Sequence, residues 1–531
     1  MRVIFALTQR YLTEGIALTG RKGQTMVQLM HSFEGERAPP SVLKLVERGE
    51  VAAFCLFRDK NVRSLAQLRE LTDELRAAAV RGGQPTPLIG TDQESGQLQA
   101  VTHGATELPG MMALGATRSA ELAKAAGRVL GTELLAMGVN LNFAPTVDVN
   151  INPNNPVIGI RAFGDDPALV ADLGAAMIAG LQGTGVLATA KHFPGHGDTD
   201  ADSHYRLPVV DVDRARLDAV ELRPFRAAIA AGVAAILSAH VIYPALDDKH
   251  PATTSQRVLT GLLRDELGFT GIAITDAMDM HAVAQFGAAY GVRHAIEAGT
   301  DLVLLGHLPQ QEPLTEQAKQ WINPASVARI RAAQARVNIP LPDSNVIGST
   351  AHQQVAQEIA EQSVTLLRDH RQLLPLQLAP DKTLGVVIVQ PENLTAADTS
   401  ATVKITLPDV LRQYHPRVVE HVLPHNATDS DIREALQAVA NADTVIVGTI
   451  QARHDHAQAE FINALLRQHP RTVGVAMRMP DDLLAYPAVG TYLCTYSIRP
   501  ASMAALGRVL FGELDAVGQL PIQMPGITSQ A

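Results

Sequence analysis

Short apolar runs alternate with longer amphipathic stretches along the first 340 residues of the chain. The runs at 28–33, 51–57, 87–92, 139–145, 185–193, 234–241, 271–276 and 301–306 read as buried strands. Helical spacing of apolar positions fills the gaps at 64–80, 119–137, 167–182, 213–231 and 260–267. Strands alternating with helices predict a parallel sheet with helical crossovers. Eight strands within about 300 residues fit a closed (β/α)8 TIM barrel better than an open sheet.

A barrel of this kind presents reactive side chains at the C-terminal ends of its strands. Asp92, Lys191 with His192, His240 and Asp276 fall at or beside such ends, and Asp148 follows another closely. A polar residue closing an apolar run is also an ordinary strand terminator. Five strand ends together favour a site.

After Val337 the pattern changes. Residues 338–350, NIPLPDSNVIGST, are rich in Pro, Gly and Ser and read as a connection. Beyond it, helical spacing at 352–362, 429–441, 457–468 and 500–511 alternates with strand-like runs at 383–390, 444–448, 472–476 and 490–496. The expected organisation is a TIM-barrel catalytic domain over 1–340, a linker at 341–350 and a smaller sheet-and-helix domain over 351–531. The second part holds no GxGxxG or GxxxxGK[ST] loop, so nothing there points to a nucleotide.

Composition narrows the class. With 46% hydrophobic and 18% charged residues the chain can build large cores. Its 44 Lys+Arg against 54 Asp+Glu give a net charge of −10, which argues against a nucleic-acid scaffold. Two cysteines, Cys55 and Cys494, are too few for a disulfide framework or a zinc ribbon. The apolar run at 3–7 stops at Gln9 and Arg10, short of the roughly 7–15 residues of a secretory core. No run approaches the roughly 18 apolar residues of a membrane span. A cytoplasmic location without membrane association is expected.

The densest chemistry lies at 191–204, KHFPGHGDTDADSH, which gathers Lys191, His192, His196, Asp198, Asp200, Asp202 and His204 among Pro and Gly. Such a stretch leaves the fifth strand as a loop, and a solvated charged loop is the plain reading. Two chemical readings compete with it. One is a His/Asp metal cage, although HExxH and a close HxH pair are both missing. The other is a proton-transfer dyad of Asp202 and His204, whose i, i+2 spacing lets both side chains point the same way in an extended segment. A second feature, GFTGIAITDAMDM, delivers Asp276 at a strand end with Asp279 three residues on. Spacing alone does not rank those two.

These segments resemble glycoside hydrolase family 3, specifically its bacterial β-N-acetylglucosaminidase branch, which acts in cell-wall recycling. The matching stretches are TDQESGQLQ, NFAPTVDVNINPNNPVIGIRAFG, KHFPGHGDTDADSH, SAHVIYPALD and PATTSQRVLTGLLRDELGFTGIAITDAMDM, spread over nearly all of residues 20–310. The second part, closing with GQLPIQMPG, more loosely resembles the α/β sandwich of longer members. The resemblance implies a retaining glycosidase with Asp276 as nucleophile and His204, paired with Asp202, as acid/base. It places Asp92, Arg161, Lys191 and His192 around the sugar and calls for no cofactor or metal. Asp148 is better read as a structural acceptor. A cation such as Lys191 is expected to keep Asp276 ionised.

The family motif usually reads DQEGGxVQR, whereas this chain has Ser95 and Ala100 in place of a glycine and the arginine. Substrate detail at that edge is therefore open. The expected activity is exo-hydrolysis of terminal β-linked N-acetylglucosamine from cell-wall-derived or chitin-type saccharides. A phosphorylase is the alternative, because a histidine acid/base does not repel phosphate as a carboxylate would. A β-glucosidase or β-xylosidase of the same family, or a sugar-binding module without catalysis, are the others. The second domain need not contribute to the site, since the proton donor already sits on a barrel loop. Aromatics make up only 4% of the chain, which suits a pocket for one terminal sugar better than a long stacking cleft.

Overall fold

The computed structural model describes residues 26–102, 104–285 and 287–524. The apolar run at 3–7 and the last two residues of GQLPIQMPG lie outside the described residues.

Each of the eight apolar runs carries a strand. In chain order the first ten strands are β1 (Leu29–His31), β2 (Ala53–Cys55), β3 (Leu88–Thr91), β4 (Gln93–Ser95), β5 (Leu98–Gln99), β6 (Leu141–Asn142), β7 (Leu187–Phe193), β8 (Ala235–Ser238), β9 (Ile272–Thr275) and β10 (Val303–Leu304). Eight of them pair in parallel in the order β10-β1-β2-β3-β6-β7-β8-β9, and a parallel bridge between Ile274 and Leu302 joins the two ends into a barrel. β4 and β5 form a separate antiparallel hairpin immediately after β3. Most strands are shorter than the apolar runs that announced them, because burial extends past the ladder: Val51, Ala52 and Leu56 flank β2 and are all buried.

The surrounding helices follow their capping signals. Ser64 accepts the Gln67 N–H at 3.2 Å to start Leu65–Gly82, and Gly83 ends it with φ of 65°. The stretch expected as one helix at 213–231 is two, Arg214–Ala219 and Leu222–Ala230. Pro224 explains the break: it lacks the N–H that a continuous helix would need there and is tolerated in the first turn of a new one.

The second sheet holds β11 (Thr365–Asp369), β12 (Leu384–Val389), β13 (Val418–Leu423), β14 (Thr444–Thr449), β15 (Thr472–Ala476) and β16 (Thr491–Cys494). Its order is β11-β16-β15-β14-β12-β13, parallel throughout except that β11 runs antiparallel to β16. β11 and β13 did not stand out in the apolar pattern because both are edge strands. β13 in particular leaves Val419, Glu420 and Val422 exposed. The helix Leu407–Tyr414 was also missed.

The two sheets are tied where the hairpin β4–β5 meets residues 393–402. Thr399 donates its N–H and its Oγ1 to the Gln97 carbonyl at 2.9 and 2.8 Å, and Gln97 Nε2 returns a bond to the Ala397 carbonyl at 3.0 Å. Arg499, itself buried, donates from Nε to the Gly96 carbonyl at 2.8 Å and pairs with Glu107 at 2.6 Å. Gly96 has φ of 62°, and a Cβ there would come within 2.9 Å of the Gly110 Cα, so the turn admits only glycine. Ser95, which replaces a family glycine, takes φ of 85°. The connecting segment also lies against the barrel, with Gly348 N–H donating to Glu133 at 2.9 Å. No helix among the described residues is long and apolar enough to cross a membrane.

Candidate active site

A pocket of about 830 Å³ opens at the C-terminal mouth of the barrel. Asp92, Arg161, Lys191, His192, His204 and Asp276 all line it, so the barrel brings together six of the seven residues picked out from the sequence. The seventh, Asp202, stands directly behind His204.

Its floor is a buried charge cluster. Glu94, in β4 and fully buried, grips Arg161 in bidentate fashion, with Oε2 accepting from Nε at 2.9 Å and Oε1 from Nη2 at 2.7 Å. The same Oε1 lies 2.5 Å from Lys191 Nζ, which also donates to Asp92 at 2.7 Å. Burial works against ionising Glu94, but Arg161 and Lys191 outweigh it and hold the carboxyl far below the usual carboxylate range. Glu94 in turn keeps Arg161 charged, and Asp92 with Glu94 keeps Lys191 charged, despite their burial. Two carboxylates and two cations thus form a preorganised polar floor, with Asp92 the partly exposed member.

β7 carries the second group. Asp148 is fully buried and does not line the pocket; its Oδ2 lies 2.7 Å from His192 Nδ1, and its Oδ1 accepts the N–H groups of His192 and His196 at 3.1 and 2.7 Å. It holds the first turn of the loop and the His192 ring, the structural role expected of it. His196 is buried against Thr199 and Ser203, and burial pushes its imidazole down to about 4. Asp198 pairs with Arg216 at 3.2 Å, and exposed Asp200 lies 3.6 Å from Arg206. Of the ionisable groups from Pro194 to His204, beyond β7, only His196 and His204 line the pocket. Among the described residues no group of three or more His, Cys, Asp or Glu is arranged to hold a metal ion.

Asp202 Oδ1 lies 2.6 Å from His204 Nδ1 and accepts the His204 backbone N–H at 2.9 Å. Burial lowers the imidazole pKa, but the Asp202 hydrogen bond and charge, joined by Asp276, more than reverse this, so His204 stays protonated above its ordinary value. Asp202 is shifted the other way, downward against burial, by the same contact. The carboxylate is therefore the acceptor and Nδ1 carries the proton, leaving Nε2 for exchange with whatever occupies the pocket.

Asp276 leaves β9 directly into the pocket and accepts the Ala277 N–H at 2.8 Å. Burial raises its carboxyl, yet His192, His240 and His204 with the Ala277 N–H outweigh burial and hold it below the ordinary range. Lys191, expected to support Asp276, is engaged by Asp92 and Glu94, and the groups that most lower the Asp276 carboxyl are His192, His240 and His204. His240, held between Thr253 Oγ1 at 2.8 Å and the Ala277 carbonyl at 3.0 Å, is one of them. Asp279 also lines the pocket but is tied to the neighbouring strand connection, accepting the His307 N–H at 2.9 Å.

The later part of the chain reaches the same pocket. Asn393, Thr395, Ala396, Ala397, Asp398, Thr399 and Thr402 form one wall of the same pocket. Asp398 is fixed there by buried Arg478 at 2.6 Å. The second sheet-and-helix unit therefore contributes to the site, although no catalytic motif marks this stretch. Glu94 was also passed over; its signal was its place inside TDQESGQLQ, two residues after Asp92.

The family described as glycosyl hydrolase family 3 N terminal domain matches residues 21–339. A β-hexosaminidase A of Pseudoalteromonas piscicida is 30% identical over 553 residues, covering 91% of this chain and 91% of its own. The structure of a glycoside hydrolase family 3 β-N-acetylglucosaminidase from Paenibacillus sp. str. FPU-7 superposes with a TM-score of 0.88 at 36% identity, over 96% of this chain and 99% of that one. A β-glucoside phosphorylase structure shares the fold, with a TM-score of 0.77 at 23% identity, over 98% of this chain and 95% of that one.

Proposed function

Because this chain belongs to glycoside hydrolase family 3 and is a glycoside hydrolase, we propose that it is a retaining, exo-acting β-N-acetylhexosaminidase. It releases terminal N-acetylglucosamine from cell-wall-derived or chitin-type saccharides. The observation that carries the reading is the Asp202–His204 pair, which presents a protonated imidazole to the pocket that holds ionised Asp276.

Asp276 attacks the anomeric carbon, forming a glycosyl ester, while the aglycone oxygen departs with the proton of His204 Nε2. His204, now neutral, takes a proton from water as that water attacks the same carbon and frees Asp276. Asp202 holds the ring in the Nδ1–H tautomer throughout. Asp92, Arg161, Lys191 and His192 bind the sugar, and the Glu94 cluster keeps these donors in place before substrate arrives. The names of the relatives support the hexosaminidase reading, and their cover of both units supports a barrel domain over 1–340, a linker at 341–350 and a sandwich domain over 351–531 acting together. A cytoplasmic place and a role in peptidoglycan recycling complete the reading.

The test is a panel of nitrophenyl glycosides. Preference for the N-acetylglucosaminide over the glucoside and xyloside is expected, and preference for the glucoside would overturn the sugar assignment. Release of free sugar at the same rate with and without phosphate is expected of a hydrolase, whereas accumulation of sugar 1-phosphate would make the enzyme a phosphorylase.

A further inference from the structure

Three cationic side chains of Lys or Arg line the pocket. Lys191 is paired with Asp92 and Glu94, and Arg161 with Glu94, so both charges are already matched. Arg58, at the start of the short helix after β2, is different. Its Nη1 donates to the Gln99 carbonyl at 3.2 Å and its Nη2 to Thr402 Oγ1 at 2.8 Å, both neutral acceptors. Among the described residues it has no carboxylate partner. Glu107, whose charge reaches it, is held by Arg499 at 2.6 Å. The pocket carboxylates Asp92 and Asp398 are likewise taken, by Lys191 and Arg478.

A guanidinium offers five N–H donors in a planar fork. At Arg58 two of its nitrogens are steadied by neutral groups, one from each side of the domain seam, and its charge is left unmatched in a half-buried wall. A cation so placed attracts an anion more strongly than it would in open water. Beside it, the Phe57 and His307 rings meet at a tilt of 44° with centroids 4.3 Å apart and also line the pocket, which gives the position an aromatic flank.

We propose that Arg58, held across the seam by Thr402, is an anion-recognising position of the active-site pocket, so that the preferred substrate carries a carboxylate on the group leaving the sugar. Inorganic phosphate offers the same chemistry and is the other source of anion. The proposal rests on the glycosidase reading above and adds the acidic character of the aglycone to it.

Two aryl glycosides of matched leaving-group acidity, one bearing a ring carboxylate and one neutral, test this on whichever sugar the nitrophenyl panel shows to be accepted. Failure of the N-acetylglucosamine assignment thus appears in the panel and leaves the aglycone comparison intact. The wild-type enzyme is expected to favour the carboxylate in kcat/KM, and Arg58→Gln to lower the ratio of the two values about tenfold. Arg58→Lys, which keeps the charge but loses the fork, should retain part of the preference. Inorganic phosphate should compete with the carboxylate substrate in the wild type and not in Arg58→Gln. Phosphate appearing in sugar 1-phosphate would instead assign the position to phosphate as co-substrate. The proposal is overturned if the wild type shows no carboxylate preference and phosphate neither competes nor reacts. It is equally overturned if the ratio is unchanged in Arg58→Gln.

Discussion

Asp202 Oδ1 stands 2.6 Å from His204 Nδ1 and also takes the backbone N–H of the same histidine. One oxygen therefore sets both the ring's tautomer and the position of its backbone. Because this contact lifts the imidazole above its ordinary value of about 6.5, the alkaline limb of the kcat/KM profile is expected above that value. In Asp202→Asn the charge is gone and burial dominates, so the limb moves to lower pH and activity at pH 7 to 8 falls. A pH–rate profile of the two enzymes checks this, and an unmoved limb would take the acid role away from His204.

The two proposed steps of catalysis respond differently to leaving-group chemistry. His204→Ala is expected to lose about 10²–10⁴-fold with a poor leaving group and much less with a dinitrophenyl glycoside, which departs without a proton. Asp276→Ala should lose activity with both, since no activated aglycone replaces the attacking carboxylate. Steady-state rates with a leaving-group series decide it; equal losses for His204→Ala across the series would count against its role.

Glu94 faces Arg161 and Lys191 with no exposure to solvent. Removing its charge in Glu94→Gln leaves two buried cations undercompensated, at a cost of about 3–5 kcal/mol in folding stability. KM for the sugar should rise as Arg161 and Lys191 lose their anchor. In the wild type the contribution of this carboxylate is complete above its unfolded pKa and is lost as the pH falls through the lower folded value. Denaturant unfolding of both proteins at neutral pH measures the difference.

Asp482 behaves in the opposite sense. Burial pushes its carboxyl up to about 7, and its Oδ2 has no hydrogen-bond partner. The folded protein keeps this proton to about pH 7 while the unfolded chain releases it near pH 3.9. Stability therefore drops as the pH rises between those values. Asp482→Asn removes the dependence, and its advantage over wild type should grow by on the order of 2 kcal/mol from pH 5 to pH 8. Parallel stability profiles would show that the proton is not held.

The barrel was legible because its strands are buried on both faces, so each appears as an apolar run with a polar residue at its end. Asp92, Lys191 and Asp276 could be placed at the mouth from that pattern. Edge strands such as β13, half exposed, carry no such mark. The charge cluster was only half visible: Lys191 stood out at a strand end and Arg161 came from the family resemblance, but their common partner depends on how β4 turns back after β3, which periodicity does not encode. The wall at 393–402 was invisible for a similar reason. Its hydrogen bonds to Gln97 and Gln99 join residues about 300 positions apart, and its residue types are those of any polar loop.

That wall separates two kinds of inheritance along the chain. The residues proposed to hold the sugar and cleave its bond lie between Asp92 and Asp276, whereas Asn393–Thr402 faces the same space from a different stretch of the chain. Changes in the later stretch alter the shape of the pocket while the proposed bond-breaking residues stay as they are. Selection can therefore reshape this side of the pocket by substituting a handful of Asn, Thr and Ala residues that take no part in the proposed bond cleavage.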